Sequence, residues 1–109
     1  MREERYDYTL EEEGRHWVRV IKRYEQGLAD YVIAYYVRGE EGTNIEIATW
    51  DCKHGFAHRD LRYLEEGDKR RKVRFPEKPL LQHYADALED VHRNWPRYFA
   101  EYCERKVRK

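Results

Sequence analysis

Cysteine and long apolar runs are the two features that this sequence most lacks. Cys52 and Cys103 are its only cysteines, too few for a disulfide framework and not in the spacing of a metal site. The longest apolar or aromatic run covers residues 31–37, far short of the ~20 residues that a membrane-spanning helix needs. The charged start at residues 1–5 includes no apolar segment of the kind found in secretory signals. We therefore expect a cytoplasmic domain with no membrane association.

Several sequence motifs of common enzyme classes are also missing. The sequence contains no phosphate-binding glycine loop, no dinucleotide fingerprint, no Gly-x-Ser-x-Gly and no zinc-ligand spacing. It therefore predicts neither a cofactor nor a metal. A chain of 109 residues can bury one hydrophobic core and fold as a single domain without disulfide or metal support.

Asparagine and glutamine are scarce as well, with two of each, whereas 40% of the residues are charged. Many charges with few thermolabile side chains are typical of thermophilic proteins that carry surface ion-pair networks. Acidic and basic residues balance at 22 each, but residues 1–50 hold 7 basic against 11 acidic residues, and residues 51–109 hold 15 against 11. The asymmetry has two possible causes: an anionic partner for the second half, or ion pairing between the two halves across the fold.

The apolar pattern predicts an α+β fold, an antiparallel meander sheet of four to five strands with a C-terminal helix packed on one face. Alternation and β-branched or aromatic residues predict strands over 16–24, 31–38, 45–50, 56–64 and 71–75. The second of these strands is apolar on both faces and should be central. Residues 1–14 are acidic and weakly patterned, and should form an N-terminal arm before the single α+β domain at 15–109.

A helix should begin at Pro79, because proline is tolerated in the first helical turn. Apolar residues at helical spacing predict its buried stripe: Leu81, Tyr84, Ala85, Leu88, Val91, His92 and Trp95. His92 on this stripe should be a core histidine, and His83 should be exposed. Pro96 cannot continue a regular helix, so we expect the helix to be broken or kinked near this residue.

The segment from Asp51 to Asp60 concentrates side chains that can carry chemistry. Its first five residues predict a hairpin loop, and the residues after the loop alternate between the two faces of a strand. One face would hold His54, Phe56, His58, Asp60 and Arg62. The opposite face would hold Gly55, Ala57, Arg59, Leu61 and Tyr63. The second set is the better core face, so the first set would line the open face of the sheet.

The segment carries the groups that metal-free RNA cleavage requires, namely a general base, a general acid and a cation for the developing phosphate charge. His54 and His58 could be the base and the acid, because histidines titrate near neutral pH. Asp51 or Asp60 could orient an imidazole. The cations that could hold phosphate are Lys53, Arg59 and Arg62.

The same segment is compatible with three further interpretations. Aspartate and glycine are ordinary residues of a hairpin turn, and histidine is ordinary on the exposed side of a strand. His54, His58 and Asp60 could also form a metal site of two histidines and one carboxylate. Cys52 could be a nucleophile, although the sequence places no base beside it.

A basic segment follows, with five bases in six positions: Lys69, Arg70, Arg71, Lys72 and Arg74. Such a segment can contact a phosphate backbone, and Tyr63 and Phe75 are near enough in sequence to stack on bases. The alternative is a solvated edge strand, where basic side chains prevent edge-to-edge aggregation and pair with Glu65 and Glu66.

The histidine segment and the helix together carry a family resemblance. Its residues are Asp51-Cys52-Lys53-His54-Gly55-Phe56-Ala57-His58-Arg59-Asp60, followed by Ala87, Asp90, Asn94 and Trp95. With them the chain resembles the TumE-type toxins of bacterial and archaeal toxin–antitoxin systems. These are small chains with an antiparallel sheet, a mid-chain Asp-x-x-His-Gly followed by a histidine with an adjacent basic residue, and a C-terminal helix.

The resemblance covers residues 30–103 in organisation and implies an RNA-cleaving or RNA-binding toxin with a cognate antitoxin as its partner. The chain departs from the family pattern at one point, because TumE-like chains often carry a second histidine where this chain has Arg59-Asp60. The alternative function is a non-catalytic interaction module that forms a homodimer or binds another protein.

Overall fold

The computed structural model describes residues 1–52 and 56–107, and consists of one six-stranded antiparallel sheet with a helix packed on one face. The strands follow one another across the sheet in sequence order. The elements are β1 (Arg2–Thr9), β2 (His16–Tyr24), β3 (Leu28–Arg38), β4 (Asn44–Asp51), β5 (His58–Leu61), β6 (Lys72–Arg74) and α1 (Leu80–Val107). The predicted α+β meander is confirmed, with one strand more than the sequence predicted. Across the described ranges, no helix combines the length and the apolar character needed to cross a membrane.

The additional strand comes from the N-terminal segment. Residues 1–14, expected to form an arm, contain β1, which pairs with β2 along its whole length. Tyr6 and Tyr8 of β1 lie on the helix side of the sheet, where both hydroxyls come within hydrogen-bonding distance of side chains of α1. They alternate with Arg5 and Asp7 on the opposite side. Because most side chains of this segment are charged, it does not show the apolar alternation from which a strand is predicted. Its strand conformation becomes evident only from its pairing with β2.

The hydrophobic core lies between the sheet and α1, and the central strands supply much of it. Val20 of β2 and Ile33 and Tyr35 of β3 are fully buried. Their alternating neighbours on β3, Ala34 and Tyr36, are buried as well. The prediction of a central strand that is apolar on both faces is therefore confirmed. Each fully buried side chain of this kind contributes about 1.5–3 kcal/mol relative to an exposed one.

The helix α1 continues through Pro96 without the predicted break. Proline removes one backbone hydrogen-bond donor, but Trp95 and Tyr98 on either side of it pack on the same core. Tertiary packing of an apolar face supplies most of a helix's stability in a protein. This packing therefore keeps the helix continuous although Pro96 cannot donate a backbone hydrogen bond. The predicted break is therefore wrong, whereas the alternative of a kink near Pro96 stays a prediction.

The buried stripe of α1 is displaced from the predicted one. Ala87, Val91 and Tyr98 are buried, whereas Leu81 is 68% exposed and Ala85 is exposed. Four residues of the predicted stripe do pack against the core: Tyr84, Leu88, Val91 and Trp95. The helix is therefore rotated only slightly, so that Ala87 replaces Leu81 and Ala85 on the buried face.

The same displacement exchanges the environments predicted for the two helix histidines. His83, expected to be exposed, is only 9% exposed. His92, expected in the core, is exposed at the flank of α1, where the Tyr8 hydroxyl lies 2.6 Å from its Nε2. Both predictions are wrong, because His83 shares the face of Ala87 and Val91 at intervals of one helical turn.

Candidate active site

The sheet face away from α1, here called the open face, carries most of the predicted site residues. Directly opposed residues of antiparallel strands share a face, so strand pairing lines them up in rows. The row through His58 is Arg5, Ile21, Val32, Asp51, His58 and Arg74. The adjacent row is Asp7, Arg19, Ala34, Thr49, Asp60 and Lys72. His58 and Asp60 thus lie on the open face, as the alternation predicts.

Asp51 and His58 are cross-strand partners at the end of the β4–β5 pair. The carboxylate Oδ1 of Asp51 is 3.6 Å from Nδ1 of His58, and the two side chains are 25% and 17% exposed. Nδ1 is buried and makes no hydrogen bond within the described part of the chain. The separation is slightly longer than a direct hydrogen bond. The carboxylate is therefore placed to hold one ring nitrogen of His58 and leave Nε2 for another group.

Arg74 and Phe56 complete the surroundings of His58. Arg74 opposes His58 on β6, and its guanidinium carbon lies 3.4 Å from the centroid of the Phe56 ring. The Phe56 ring in turn meets the His58 ring edge-on, with centroids 6.5 Å apart. Stacking on an aromatic ring restrains a flexible arginine, so the cation is held close to the histidine. These four residues, Asp51, Phe56, His58 and Arg74, are called the His58 site below.

Asp60 lies on the same open face, but its side chain pairs with residues of the loop between β5 and β6. Its Oδ1 accepts a hydrogen bond of 3.4 Å from Nε of Arg71, and its Oδ2 is 3.8 Å from Nη1 of Arg62. Arg71 also donates to the carbonyl of Leu64 at 2.9 Å, and Arg62 pairs with Glu46 at 3.8 Å. Of the two aspartates predicted to orient an imidazole, only Asp51 pairs with His58. Asp60 instead stabilises the loop between β5 and β6.

Arg59 lies on the opposite face, beneath α1. Its Nη1 donates to the Tyr98 hydroxyl at 3.2 Å and lies 4.0 Å from Oδ2 of Asp90. Asp90 also accepts hydrogen bonds from Trp50 Nε1 at 3.0 Å and from the Tyr98 hydroxyl at 2.6 Å. Burial, together with this bond to Asp90, raises the pKa of Tyr98 to about 12. Arg59 is therefore separated from the His58 site and joins β5 to the helix.

This partly buried polar network is the part that sequence reasoning missed. The sequence pointed to Asp90 and Asn94 only through the family resemblance, and here Nδ2 of Asn94 donates to Oδ1 of Asp90 at 2.8 Å. Their spacing of one helical turn was the available signal, since aspartate and asparagine four residues apart face the same side of a helix. Nothing in the sequence indicated Trp50 as the partner on the sheet.

The five bases of residues 69–74 divide into two groups. Arg70 pairs with Asp68 at 3.1 Å, and Arg71 pairs with Asp60 as described above. Lys69, Lys72 and Arg74 form no ion pair with any residue that the structure describes. The expected pairing of these bases with Glu65 and Glu66 is also not seen there. Lys72 and Arg74 stay available on the open face at the end of both rows.

Three further predictions concern the hairpin between β4 and β5. Lys53 and His54 lie outside the described residues, so their predicted roles stay predictions. Among the residues that are described, no three histidine, cysteine, aspartate or glutamate side chains are grouped as a metal site. Cys52 donates to Oδ1 of Asp30 at 3.1 Å. Burial and this bond raise the pKa of its thiol to about 11, which argues against a thiolate nucleophile at neutral pH.

Comparison with known proteins places the chain in one family. A family model for a domain of unknown function, DUF7718, matches residues 1–108, so the chain belongs to this family. No curated protein and no solved structure matches it. The matched range includes all six strands and α1, so the His58 site lies within the family's domain.

Proposed function

We propose that this member of the DUF7718 family is a metal-independent RNA-cleaving protein of the toxin type, which acts in the cytoplasm and has a cognate antitoxin. The observation that carries the proposal is the position of Asp51 opposite His58, with Oδ1 3.6 Å from Nδ1. Arg74 adds a cation from the next strand of the same row. The resemblance to TumE-type toxins supplies the substrate class, RNA.

In the proposed reaction, His58 is the general base. Its Nδ1–H faces Asp51, so the lone pair on Nε2 takes the proton of a ribose 2′-hydroxyl as that oxygen attacks the neighbouring phosphorus. Asp51 stabilises the imidazolium that forms, which is the role of a carboxylate behind a catalytic histidine. Arg74 stabilises the negative charge that develops on the phosphate oxygens.

The leaving 5′-oxygen requires a proton donor. We assign this role to His54, the second histidine of the segment, on its chemistry and its sequence position beside the His58 site. The bond from phosphorus to the 5′-oxygen breaks as His54 donates its proton to that oxygen. The products are a 2′,3′-cyclic phosphate and a free 5′-hydroxyl. His58 then releases its proton to solvent, and His54 takes up a proton from solvent.

Cleavage of a structured RNA pool with and without EDTA tests this proposal. The wild-type protein should cleave equally in both conditions, and His58→Ala should reduce the rate by about 10²–10⁴-fold, the usual range for loss of an acid–base group. His92→Ala is the matched control, because His92 is an exposed histidine on α1 outside the site. If the folded wild-type protein cleaves no RNA, the proposal is wrong. If cleavage is lost in EDTA, the reaction depends on a metal ion and the metal-independent mechanism is wrong.

A second candidate function, self-association, is favoured by the exposed edge of β1. Seven of its eight residues are exposed, and its outer edge pairs with no strand among residues 1–52 and 56–107. Two antiparallel copies of β1 related by a two-fold axis at Glu4 would place Glu3 of each copy opposite Arg5 of the other, on either side of the central Glu4 pair. Opposite charges then face each other at both positions, which stabilises cross-strand pairs.

Light scattering at micromolar concentration tests this second candidate. We expect a dimer that Arg5→Glu converts to a monomer and that the double variant Glu3→Arg with Arg5→Glu restores. A wild-type monomer at every concentration would exclude pairing through β1 and leave the enzymatic proposal as it stands.

A further inference from the structure

A cleft opens directly beside the His58 site, between the end of the sheet and the start of α1. It has a volume of about 280 Å³. Its principal lining residues are Cys52, Phe56, Arg74, Phe75, Lys78 and His83. Phe56 and Arg74 belong to the His58 site as well, so a ligand in this cleft would touch the residues that surround His58. We call it the Phe75 cleft.

The walls of the Phe75 cleft combine flat apolar surfaces with one fixed cation. Phe56 and Phe75 supply two aromatic rings, and the guanidinium of Arg74 stacks on the first of them. Phe56 is 41% exposed, so its ring is accessible from outside. Aromatic rings of this kind bind nucleobases of any sequence by stacking, and a neighbouring arginine adds attraction for the phosphate.

His83 adds a hydrogen-bond donor of defined direction. The residue lines the cleft and is almost completely buried. Its Nε2 accepts the backbone N–H of Lys78 at 3.2 Å, so in the neutral ring the proton is on Nδ1. Nδ1 has no hydrogen-bond partner within the described part of the chain. Nδ1–H can therefore donate to a polar group of a ligand in the cleft.

The acidic and basic side chains at the rim set the polarity of the cleft. Glu77 lines it, and the ammonium group of Lys78 is held by Asp86 at 2.9 Å. A group with both donors and acceptors on its edge, as every nucleobase has, could therefore meet a donor at His83 and an acceptor at Glu77. A volume just below the usual range for drug-sized ligands suits one base better than a larger ligand.

We propose that the Phe75 cleft is a nucleobase subsite, which binds the base of the nucleotide whose 2′-hydroxyl is deprotonated by His58. The inference rests on the proposed function for the choice of RNA as the ligand. The base stacks on the phenylalanine rings, its edge contacts Nδ1–H of His83, and its 3′-phosphate lies at Arg74. The cleft thus selects which nucleotide is cleaved, whereas Asp51 and His58 perform the cleavage.

Nucleotide binding to the inactive His58→Ala protein tests the subsite without requiring activity. We expect calorimetry with the four 3′-nucleoside monophosphates to find one base bound at least about tenfold more tightly than the weakest, and all four more tightly than inorganic phosphate. Phe75→Leu should weaken this binding at least about fivefold, as expected from losing a stacking contact. Leu81→Ala is the matched control, because Leu81 is an exposed apolar residue near the start of α1 but outside the cleft.

A second measurement keeps the test decisive if Phe75→Leu does not fold. In the protein that carries only His58→Ala, the preferred nucleotide should shift the ring 15N signals of His83 and leave those of His92 unchanged. Equal binding of all nucleotides and of inorganic phosphate, with no shift at His83, would overturn the subsite.

Cleavage of chimeric oligonucleotides with one ribonucleotide among deoxynucleotides then separates the two proposals. Wild-type protein should prefer the ribonucleotide whose monophosphate binds best. Cleavage without any base preference would overturn the subsite and keep the enzyme. Base-selective binding without cleavage of any substrate would keep the subsite and overturn the enzyme.

Discussion

Asp51 and His58 face each other across the β4–β5 pair, with Oδ1 3.6 Å from Nδ1. The hairpin between them brings a carboxylate from the end of one strand to an imidazole at the start of the next. Asp60, which stands two positions beyond His58 on the same face, pairs with Arg71 instead. This difference in partner separates two aspartates that are equivalent in the sequence pattern.

The first prediction distinguishes these aspartates. Asp51→Asn should lower RNA cleavage by about 10²-fold, because the neutral amide cannot stabilise the imidazolium form of His58. Asp60→Asn should leave cleavage unchanged at low temperature and lower the urea midpoint, because it weakens the attachment of the β5–β6 loop. Cleavage rates and urea denaturation of the two variants check both parts. The opposite pattern would make Asp60 the orienting carboxylate.

The second prediction concerns Arg59, which the sequence pattern placed among the phosphate-binding cations. Arg59→Met should lower the free energy of unfolding by about 1–3 kcal/mol, because Asp90 and Tyr98 lose a charged hydrogen-bonding partner in a partly buried network. Its cleavage rate, measured where the variant is fully folded, should stay within about twofold of wild type. A large loss of cleavage with unchanged stability would show that Arg59 takes part in the reaction after all.

The third prediction concerns the pH dependence of stability that arises from partly or fully buried tyrosines. Burial raises the pKa of Tyr8, Tyr84 and Tyr98 to about 12 each, whereas an unfolded tyrosine titrates near pH ~10. A group whose pKa is higher in the folded state contributes stability that is complete below the unfolded pKa and is lost as pH rises through the folded one. The urea midpoint should therefore fall between about pH 10 and pH 12.

The variant Tyr98→Phe provides the control for this alkaline loss. It removes one of the tyrosines whose pKa is raised in the folded state, so the midpoint should fall less steeply over the same range. At pH 8 the variant should be less stable by about 1–3 kcal/mol, because the hydrogen bond to the Asp90 carboxylate is lost. An unchanged alkaline slope would show that Tyr98 does not ionise with unfolding.

The fourth prediction concerns the division of the basic segment. Arg74→Gln and Lys72→Gln should each weaken binding of single-stranded RNA, and each should reduce the slope of log affinity against log salt by about one phosphate contact, ~0.7. Arg70→Gln should change neither, because Arg70 is already paired with Asp68. Fluorescence anisotropy with a labelled oligonucleotide at several salt concentrations measures both quantities. Equal effects of the three substitutions would indicate a diffuse basic surface.

The sequence by itself determined the local elements of this fold through their periodicity. The strand over residues 16–24 has the bounds that the structure shows, and the burial of β3 on both faces follows from its run of β-branched and aromatic residues. Alternation also placed His58 and Arg59 on opposite faces. These features could be predicted because the two-residue period of a strand depends only on neighbours in the chain.

The tertiary structure decided which of those faces meet and in what register. It brought residues 2–9 into the sheet as β1, carried α1 past Pro96 and exchanged the environments of His83 and His92. It also chose Asp51 over Asp60 as the partner of His58. Strand pairing, helix rotation and cross-strand distances all depend on contacts between residues far apart in sequence, and a local pattern carries no information about them.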